Sequence, residues 1–92
     1  MEGKIVITVI GDDKVGIVSE VSLKLKELKC NIIDITQTIF ENEIFAMIML
    51  VETKDSTLEF NKIKEELKSL EEKIGVKVYV QHEDIFKAMH RI

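Results

Sequence analysis

Hydrophobic residues recur along the chain with two spacings, one typical of strands and one typical of helices. The first apolar stretch, Lys4–Ile10, is rich in β-branched residues and is apolar on both faces, which is typical of a central strand. Beyond it, apolar residues recur every three or four positions, so that they share one stripe of a helix. That stripe consists of Ile17, Val18, Val21, Leu25 and Leu28. The pattern therefore predicts a strand followed directly by a helix.

A second strand is predicted to begin at Asn31 and to run to Phe40. Its side chains alternate between two faces, and Asp34, Thr36 and Thr38 share one of them. This polar row either lines a ligand or subunit surface on the side away from the helices, or is a solvated strand face.

A polar break at Glu41–Glu43 predicts a hairpin, because Asn42 tolerates left-handed backbone angles. The following strand, Ile44–Val51, is apolar on both faces. The large apolar residues of this region cannot all lie on the helix side, and an exposed apolar face or edge marks a contact with a partner. Those residues are Phe40, Phe45, Met47 and Met49. We therefore expect a homodimer.

The second half of the chain repeats the order of helix and strand. Ser56 and Glu59 form a capping box that predicts the start of a second helix, and Gly75 is expected to end it. Residues 76–81 alternate as a half-exposed strand, and residues 84–92 have the spacing of a short final helix. The predicted order is βαββαβ, an α+β fold in which right-handed crossovers place both main helices on one face of a four-stranded antiparallel sheet.

The turn between Gly11 and Gly16 joins the first strand to the first helix. Gly11 permits backbone angles closed to other residues, and Gly16 allows close approach of a ligand or another chain. Amides at a helix start attract a carboxylate, whereas Asp12 and Asp13 suit an ammonium group. Together these charges suit a zwitterion such as a free amino acid. The alternative is a tight strand-to-helix turn with no further role.

Several other polar residues are weaker candidates. Asn31 is expected away from the turn of its own chain, where it approaches the turn of a neighbouring subunit or satisfies local backbone. His82 and His90 have carboxylates nearby, but their spacing matches no standard metal site. Cys30 is interpreted as a small buried residue. Because no catalytic arrangement is recognisable, we expect no enzyme activity, no metal and no cofactor.

Composition narrows the class of protein. The chain has 92 residues, a net charge of −4 and 46% hydrophobic residues, so we expect one domain over residues 1–92. Its only arginine is Arg91, and the absence of a basic face argues against nucleic acid as a partner. One cysteine, no signal-type segment and no long apolar run indicate a cytoplasmic protein that does not bind membranes.

The run Gly11–Val18, followed by Asn31-Ile32 and the strand Asp34–Ile39, resembles the ACT domain. It is most similar to the small stand-alone ACT-domain proteins, which are similar to the tandem ACT domains of the glycine-cleavage-system transcriptional repressor. The closing residues Met89–Ile92 resemble the same subgroup. The resemblance implies a ferredoxin-like fold, side-by-side dimers with a continuous sheet, and binding of amino acids or other small molecules at the subunit interface.

In ligand-binding members of this family, the first turn of one subunit and the start of the second strand of the next supply the contacts. The resemblance therefore implies a site made of Gly11, Asp12, Asp13, Val15, Gly16 and Ile17, with Asn31 and Ile32 across the interface. We expect a homodimeric sensor without catalysis that acts on a regulated enzyme or regulator in trans. One alternative is a protein–protein interaction module whose ligand site has lapsed. Another, an enzyme or metal-binding protein, rests on His82, His90 and Cys30.

Overall fold

The computed structural model describes residues 3–12, 14–41 and 43–89. The strands form a four-stranded antiparallel sheet in the order β2-β3-β1-β4. The elements in chain order are β1 (Lys4–Gly11), α1 (Lys14–Glu27), β2 (Asn31–Ile39), β3 (Phe45–Glu52), α2 (Phe60–Lys68), α3 (Leu70–Ile74), β4 (Lys77–His82) and α4 (Glu83–Met89). The predicted βαββαβ fold and its short C-terminal helix are confirmed. Three predicted features, Asp13, Asn42 and residues 90–92, lie outside the described residues.

The core lies between one face of the sheet and helices α1 to α3. Alternate residues of the two inner strands, β1 and β3, point into it, and each large apolar side chain buried in this way contributes about 1.5–3 kcal/mol. Those residues are Ile5, Ile7, Val9, Phe45, Met47, Met49 and Val51. The prediction that β1 is a central strand is confirmed, because β1 lies between β3 and β4.

The opposite face of the sheet is partly covered by the C-terminal helix. Val6 lies on that face and is nevertheless buried, and α4 contacts both β1 and β4. Farther along the face, Thr8 pairs with Ile48 on one side and with Tyr79 on the other, and both of these neighbours are exposed. Strand β3 is therefore apolar on both faces, but only the face toward α1 to α3 is fully buried. The opposite face includes the exposed residue Ile48.

Strand β2 forms one edge of the sheet, and all nine of its residues are exposed. Its pairing with β3 shifts between Ile32 and Asp34, which leaves Ile33 as a bulge. Thr36 and Thr38 pair with Ile48 and Ala46, so the polar row of β2 faces away from α1 to α3. The four large apolar residues that were not expected to fit together on the helix side are indeed separated. Phe40 is 53% exposed, whereas Phe45, Met47 and Met49 are buried.

The predicted capping box is wrong. Helix α2 begins at Phe60, and Glu59 precedes it without a side-chain capping hydrogen bond. The Ser56 hydroxyl accepts a hydrogen bond from the Leu58 backbone N–H at 3.3 Å, which makes a local turn before the helix. A serine that satisfies a nearby amide in a turn competes with its use as a cap, and the turn prevails here.

The second helix divides at Ser69 and ends at Gly75. The Ser69 hydroxyl donates to the Glu66 carbonyl at 2.6 Å, a back-bond that bends helices, and α3 follows directly. Gly75 has φ 66° and ψ 45°, which confirms it as the left-handed residue that closes the segment.

The hairpin between β2 and β3 is confirmed. The Phe40 N–H donates to the Ile44 carbonyl at 2.9 Å, and the Glu43 N–H donates to the Phe40 carbonyl at 2.8 Å. Glu43 has φ 64° and is the left-handed residue of a three-residue loop. Glycine usually takes this position, so the left-handed conformation of Glu43 is not predictable from its residue type.

Gly11 is required for a reason other than its predicted backbone freedom. Among the described glycines only Gly75 has a positive φ. A Cβ atom on Gly11 would lie 2.6 Å from Val76 Cγ1 and 2.8 Å from Ile17 Cδ1. The end of β1 therefore packs directly against the start of α1 and the residue before β4, and a side chain has no space there.

We expect Gly11→Ala to lower the free energy of unfolding by about 1–3 kcal/mol, because it overpacks the core against a stiff β-branched neighbour. Urea denaturation followed by circular dichroism measures the change. Adding Val76→Ala should recover part of the loss by removing the contacting Cγ1 atom. An unchanged midpoint for Gly11→Ala would contradict the steric explanation.

Candidate functional site

The turn after β1 presents backbone and short side chains at the start of α1. Asp12 is exposed, Asp13 lies outside the described residues, and α1 begins immediately afterwards. Val15 is 77% exposed, whereas Ile17 is 1% exposed and packs into the core. Ile17 can therefore offer only its backbone to a ligand, while Val15 projects from the first helical turn toward solvent.

The second residue of the glycine pair, Gly16, lies within α1 and is half-buried. Its carbonyl accepts a hydrogen bond from the Ser19 hydroxyl at 3.3 Å. The predicted turn is thus shorter than the interval between its two glycines, because the helix has begun before Gly16 is reached.

The two predicted halves of the site lie at opposite ends of the sheet within one chain. Gly11 pairs with Phe45, which pairs with Ile39 at the last residue of β2. Asn31 pairs with Glu52 at the first residue of β2. The separation expected between Asn31 and the turn of its own chain is confirmed, so a single chain does not bring the halves together.

Asn31 and Ile32 form the exposed beginning of β2. The Asn31 side-chain amide donates to Asp55 Oδ2 at 3.4 Å, a contact across the loop that follows β3. Neither of the two roles predicted for Asn31 included this partner, because Asp55 is distant in sequence. Ile32 is 41% exposed and provides an apolar surface beside that pair.

A cleft lies between the C-terminal end of α1 and the start of β2, and we name it the α1–β2 cleft. Its volume is about 480 Å³, and it is largely open to solvent. Its lining residues are Ser22, Leu25, Lys26, Lys29, Cys30, Asn31, Ile32 and Asp55. Two lysines and one aspartate are among its lining residues, so residues of both charges border the cleft.

The site predicted from the sequence did not include four of the residues that line this cleft, Ser22, Lys26, Lys29 and Asp55. The lysines were assigned no role because they occupy the polar side of a helix, where charged residues are usually only solvated. Only the folded chain brings the end of α1 next to the loop that holds Asp55.

The backbone at Lys29 is in an unusual conformation. Lys29 has φ 59°, in the left-handed region, and lies two residues beyond the end of α1, a position that glycine usually occupies. The Lys29 N–H donates to the Lys26 carbonyl at 3.1 Å, and the Cys30 N–H donates to the Leu25 carbonyl at 3.0 Å. These hydrogen bonds close the helix around a left-handed residue, and a non-glycine residue in this conformation costs about 1–2 kcal/mol.

Cys30 has the structural role that was predicted for it. Its side chain is buried, and its thiol lies 3.7 Å from the Leu28 carbonyl. Burial raises the pKa of the Cys30 thiol, with a smaller opposing effect from the Ser56 hydroxyl. A neutral, buried thiol is a poor nucleophile and a poor metal ligand.

The metal interpretation gains no support from the part of the chain that is described. His82 stacks on the Phe60 ring with centroids 3.9 Å apart, and His90 lies outside the described residues. No group of three or more metal-ligating side chains occurs within residues 3–12, 14–41 and 43–89. The helices of those same residues include none long and apolar enough to cross a membrane.

Residues 4–81 match the family model of the ACT domain. Since this match spans most of the chain, the protein belongs to the ACT domain family. The resemblance carried by the glycine-bounded turn and the start of β2 is thereby confirmed.

Particular relatives agree with this assignment. A UPF0237 protein of Methanocaldococcus jannaschii is 52% identical over 89 residues, covering 97% of this chain and 98% of that protein. An ACT domain protein from Streptococcus pneumoniae is 39% identical and matches with a TM-score of 0.80 over 98% of this chain and 100% of that chain. A protein assigned as a glycine cleavage system transcriptional repressor is 26% identical, with a TM-score of 0.76 over 89% of this chain and 45% of its own.

We expect Lys29→Gly to raise the free energy of unfolding by about 1 kcal/mol, because glycine adopts the left-handed conformation without a Cβ clash. Urea denaturation measures the change. Glu43→Gly is the matched control, since Glu43 has a similar φ but does not line the α1–β2 cleft. Both variants should be stabilised. A destabilised Lys29→Gly would contradict the inference of backbone strain.

Proposed function

We propose that the protein is a homodimeric regulatory domain that binds a free amino acid between its subunits and has no catalytic activity of its own. The observation that carries the proposal is the α1–β2 cleft, which places cationic and anionic side chains beside an exposed sheet edge. Membership of the ACT domain family supports the same role.

The dimer we propose joins two β2 strands side by side. Asn31 and Ile39 of one chain are separated by roughly 26 Å of extended strand. Antiparallel pairing about the midpoint, Ile35, brings Asn31 of the partner subunit beside Ile39. Ile39 lies at the sheet end that holds Gly11, two strands away from it, so the proposed pairing would bring the two halves to the same end of the combined sheet.

The ligand we propose is a zwitterion, and each of its charges has a counterpart. Its carboxylate lies between the positive end of α1 from one subunit and the Lys29 ammonium group of the other. Its ammonium group is held by Asp55 and Asn31, whose side chains are already in contact at 3.4 Å. Ile32 and Val15 provide apolar surface for the amino-acid side chain. Gly11, Asp12, Asp13, Gly16 and Ile17 supply the remaining turn contacts.

The output of this sensor is proposed to act in trans, on an enzyme or a transcriptional regulator. In this proposal the interface has two conformations, and the amino acid binds one of them more tightly than the other. Binding therefore shifts the protein toward that conformation and changes the surface that the partner contacts.

A second candidate function is a protein–protein interaction module without a ligand. It is supported by the exposed row on the sheet face away from α1 to α3, where Ile48 and Tyr79 flank Thr8. This alternative predicts partner binding that is independent of any amino acid.

Isothermal titration calorimetry of the wild-type protein against the common amino acids is expected to show binding by at least one of them. Asp55→Ala should weaken that binding about tenfold or more, because it removes a charged hydrogen-bond acceptor. Asp84→Ala, a change of the same charge on α4, is the control and should bind as the wild type does. Absence of heat and of any thermal shift with every amino acid would contradict the sensor.

Sedimentation velocity of the wild-type protein at micromolar concentration is expected to give the mass of two chains. Ile35→Lys should produce monomers, because a lysine at the centre of a pairing edge opposes strand addition. Ile85→Lys on α4 is the control, since Ile85 is also an exposed isoleucine but lies outside β2. A dimer that survives Ile35→Lys would place the interface elsewhere.

A further inference from the structure

The outer edge of β4 is occupied at Val78 by two charged side chains from the helices. The Val78 N–H donates to Glu71 Oε2 at 2.8 Å, and Lys68 Nζ donates to the Val78 carbonyl at 2.8 Å. Lys68 Nζ also lies 3.2 Å from Glu71 Oε2, so the three groups form a closed cycle that we name the edge clamp. Both backbone groups of Val78 point away from β1 and would otherwise be free to pair with another strand.

The helices that carry the edge clamp are anchored in the core. Lys68 is the last residue of α2, and Glu71 follows the start of α3. Leu67 and Leu70, adjacent to these two residues in sequence, are fully buried in the core. The Lys68 ammonium group lies 5.6 Å from the Tyr79 ring centroid, a further attraction that keeps it over β4.

The electrostatics of Glu71 match this geometry. Its hydrogen bond from the Val78 N–H lowers its carboxyl pKa, and Lys68 and Lys77 act in the same direction. The carboxylate is therefore ionised in neutral solution and accepts the backbone hydrogen bond in its stronger, charged form.

The opposite edge has no comparable protection. All nine residues of β2 are exposed. Among the described residues, the one side-chain hydrogen bond to the β2 backbone is from the Ile35 N–H to Asp34 Oδ1, at 2.8 Å. That acceptor belongs to the same strand and is itself exposed, so rotation of one side chain releases the amide.

We infer that the edge clamp closes β4 to strand addition, so that a second copy of this chain can join the sheet only at β2. A sheet with two open edges accepts copies at both ends and grows without limit, whereas a single open edge gives a closed, symmetric pair. The inference goes beyond amino-acid binding, because it concerns which edge accepts a partner and why assembly stops.

The test compares the wild-type protein with Lys68→Ala/Glu71→Ala by sedimentation velocity over a range of concentrations. The double variant is expected to form species heavier than those of the wild type, with a fraction that rises with concentration. Lys62→Ala/Glu65→Ala is the matched control, because it removes a pair of the same spacing at 3.8 Å on the exposed side of α2 and leaves net charge unchanged. It should sediment as the wild type does. A clamp variant with the same mass distribution as the wild type would overturn the inference.

A second measurement remains decisive if the double variant fails to fold. Amide hydrogen exchange at Val78 is expected to be about tenfold or more faster in Glu71→Ala than in the wild type, because the amide loses a charged acceptor. Glu71→Gln, which keeps an acceptor oxygen, should restore part of the protection. Equal exchange in the wild type and Glu71→Ala would overturn the inference.

These outcomes are distinguishable from failure of the proposed function. A monomeric wild-type protein would contradict the β2 dimer, whereas the edge clamp is judged by the difference between variant and wild type.

Discussion

The rest of this structure depends on how the two edges of the sheet are treated. The outward N–H and C=O groups of an edge strand bind water, side chains or another strand. The two edges of this sheet differ in that respect. At β4, the side chains of Lys68 and Glu71 bind the backbone of Val78, the second residue of the strand. At β2, nine exposed residues face solvent, several of them large and apolar. One edge is therefore blocked at Val78 and the other is open to solvent, and the proposed dimer uses the open edge.

The predicted halves of the candidate site are also separated within one chain. The glycine-bounded turn lies at one end of the sheet and the α1–β2 cleft at the other, and β2 runs between them. Antiparallel pairing of two β2 strands would place the end of β2 in one chain beside the beginning of β2 in the other. Lys29, which lines the cleft, has a left-handed backbone because it closes α1, just as Glu43 has one in the hairpin loop.

Local chemistry made the architecture predictable, whereas long-range contacts were out of reach. The β-branched β1 strand, the apolar stripe of α1 and the closing Gly75 followed from spacing and propensity. The Ser56 capping box failed because a nearby turn uses the same hydroxyl. The contact of Asn31 with Asp55 joins segments that no periodicity connects. Gly11 was identified correctly as special but for the wrong reason, since its role is steric and depends on neighbours distant in sequence.

The most direct test of the central claim is an isotope-filtered NOE experiment on a mixture of labelled and unlabelled chains. Pairing along β2 predicts cross-chain Hα–Hα contacts arranged antiparallel, with protons near Asn31 close to protons near Ile39 of the partner subunit. Cross-chain contacts confined to β4 or to the exposed sheet face, with β2 protons showing none, would contradict the account.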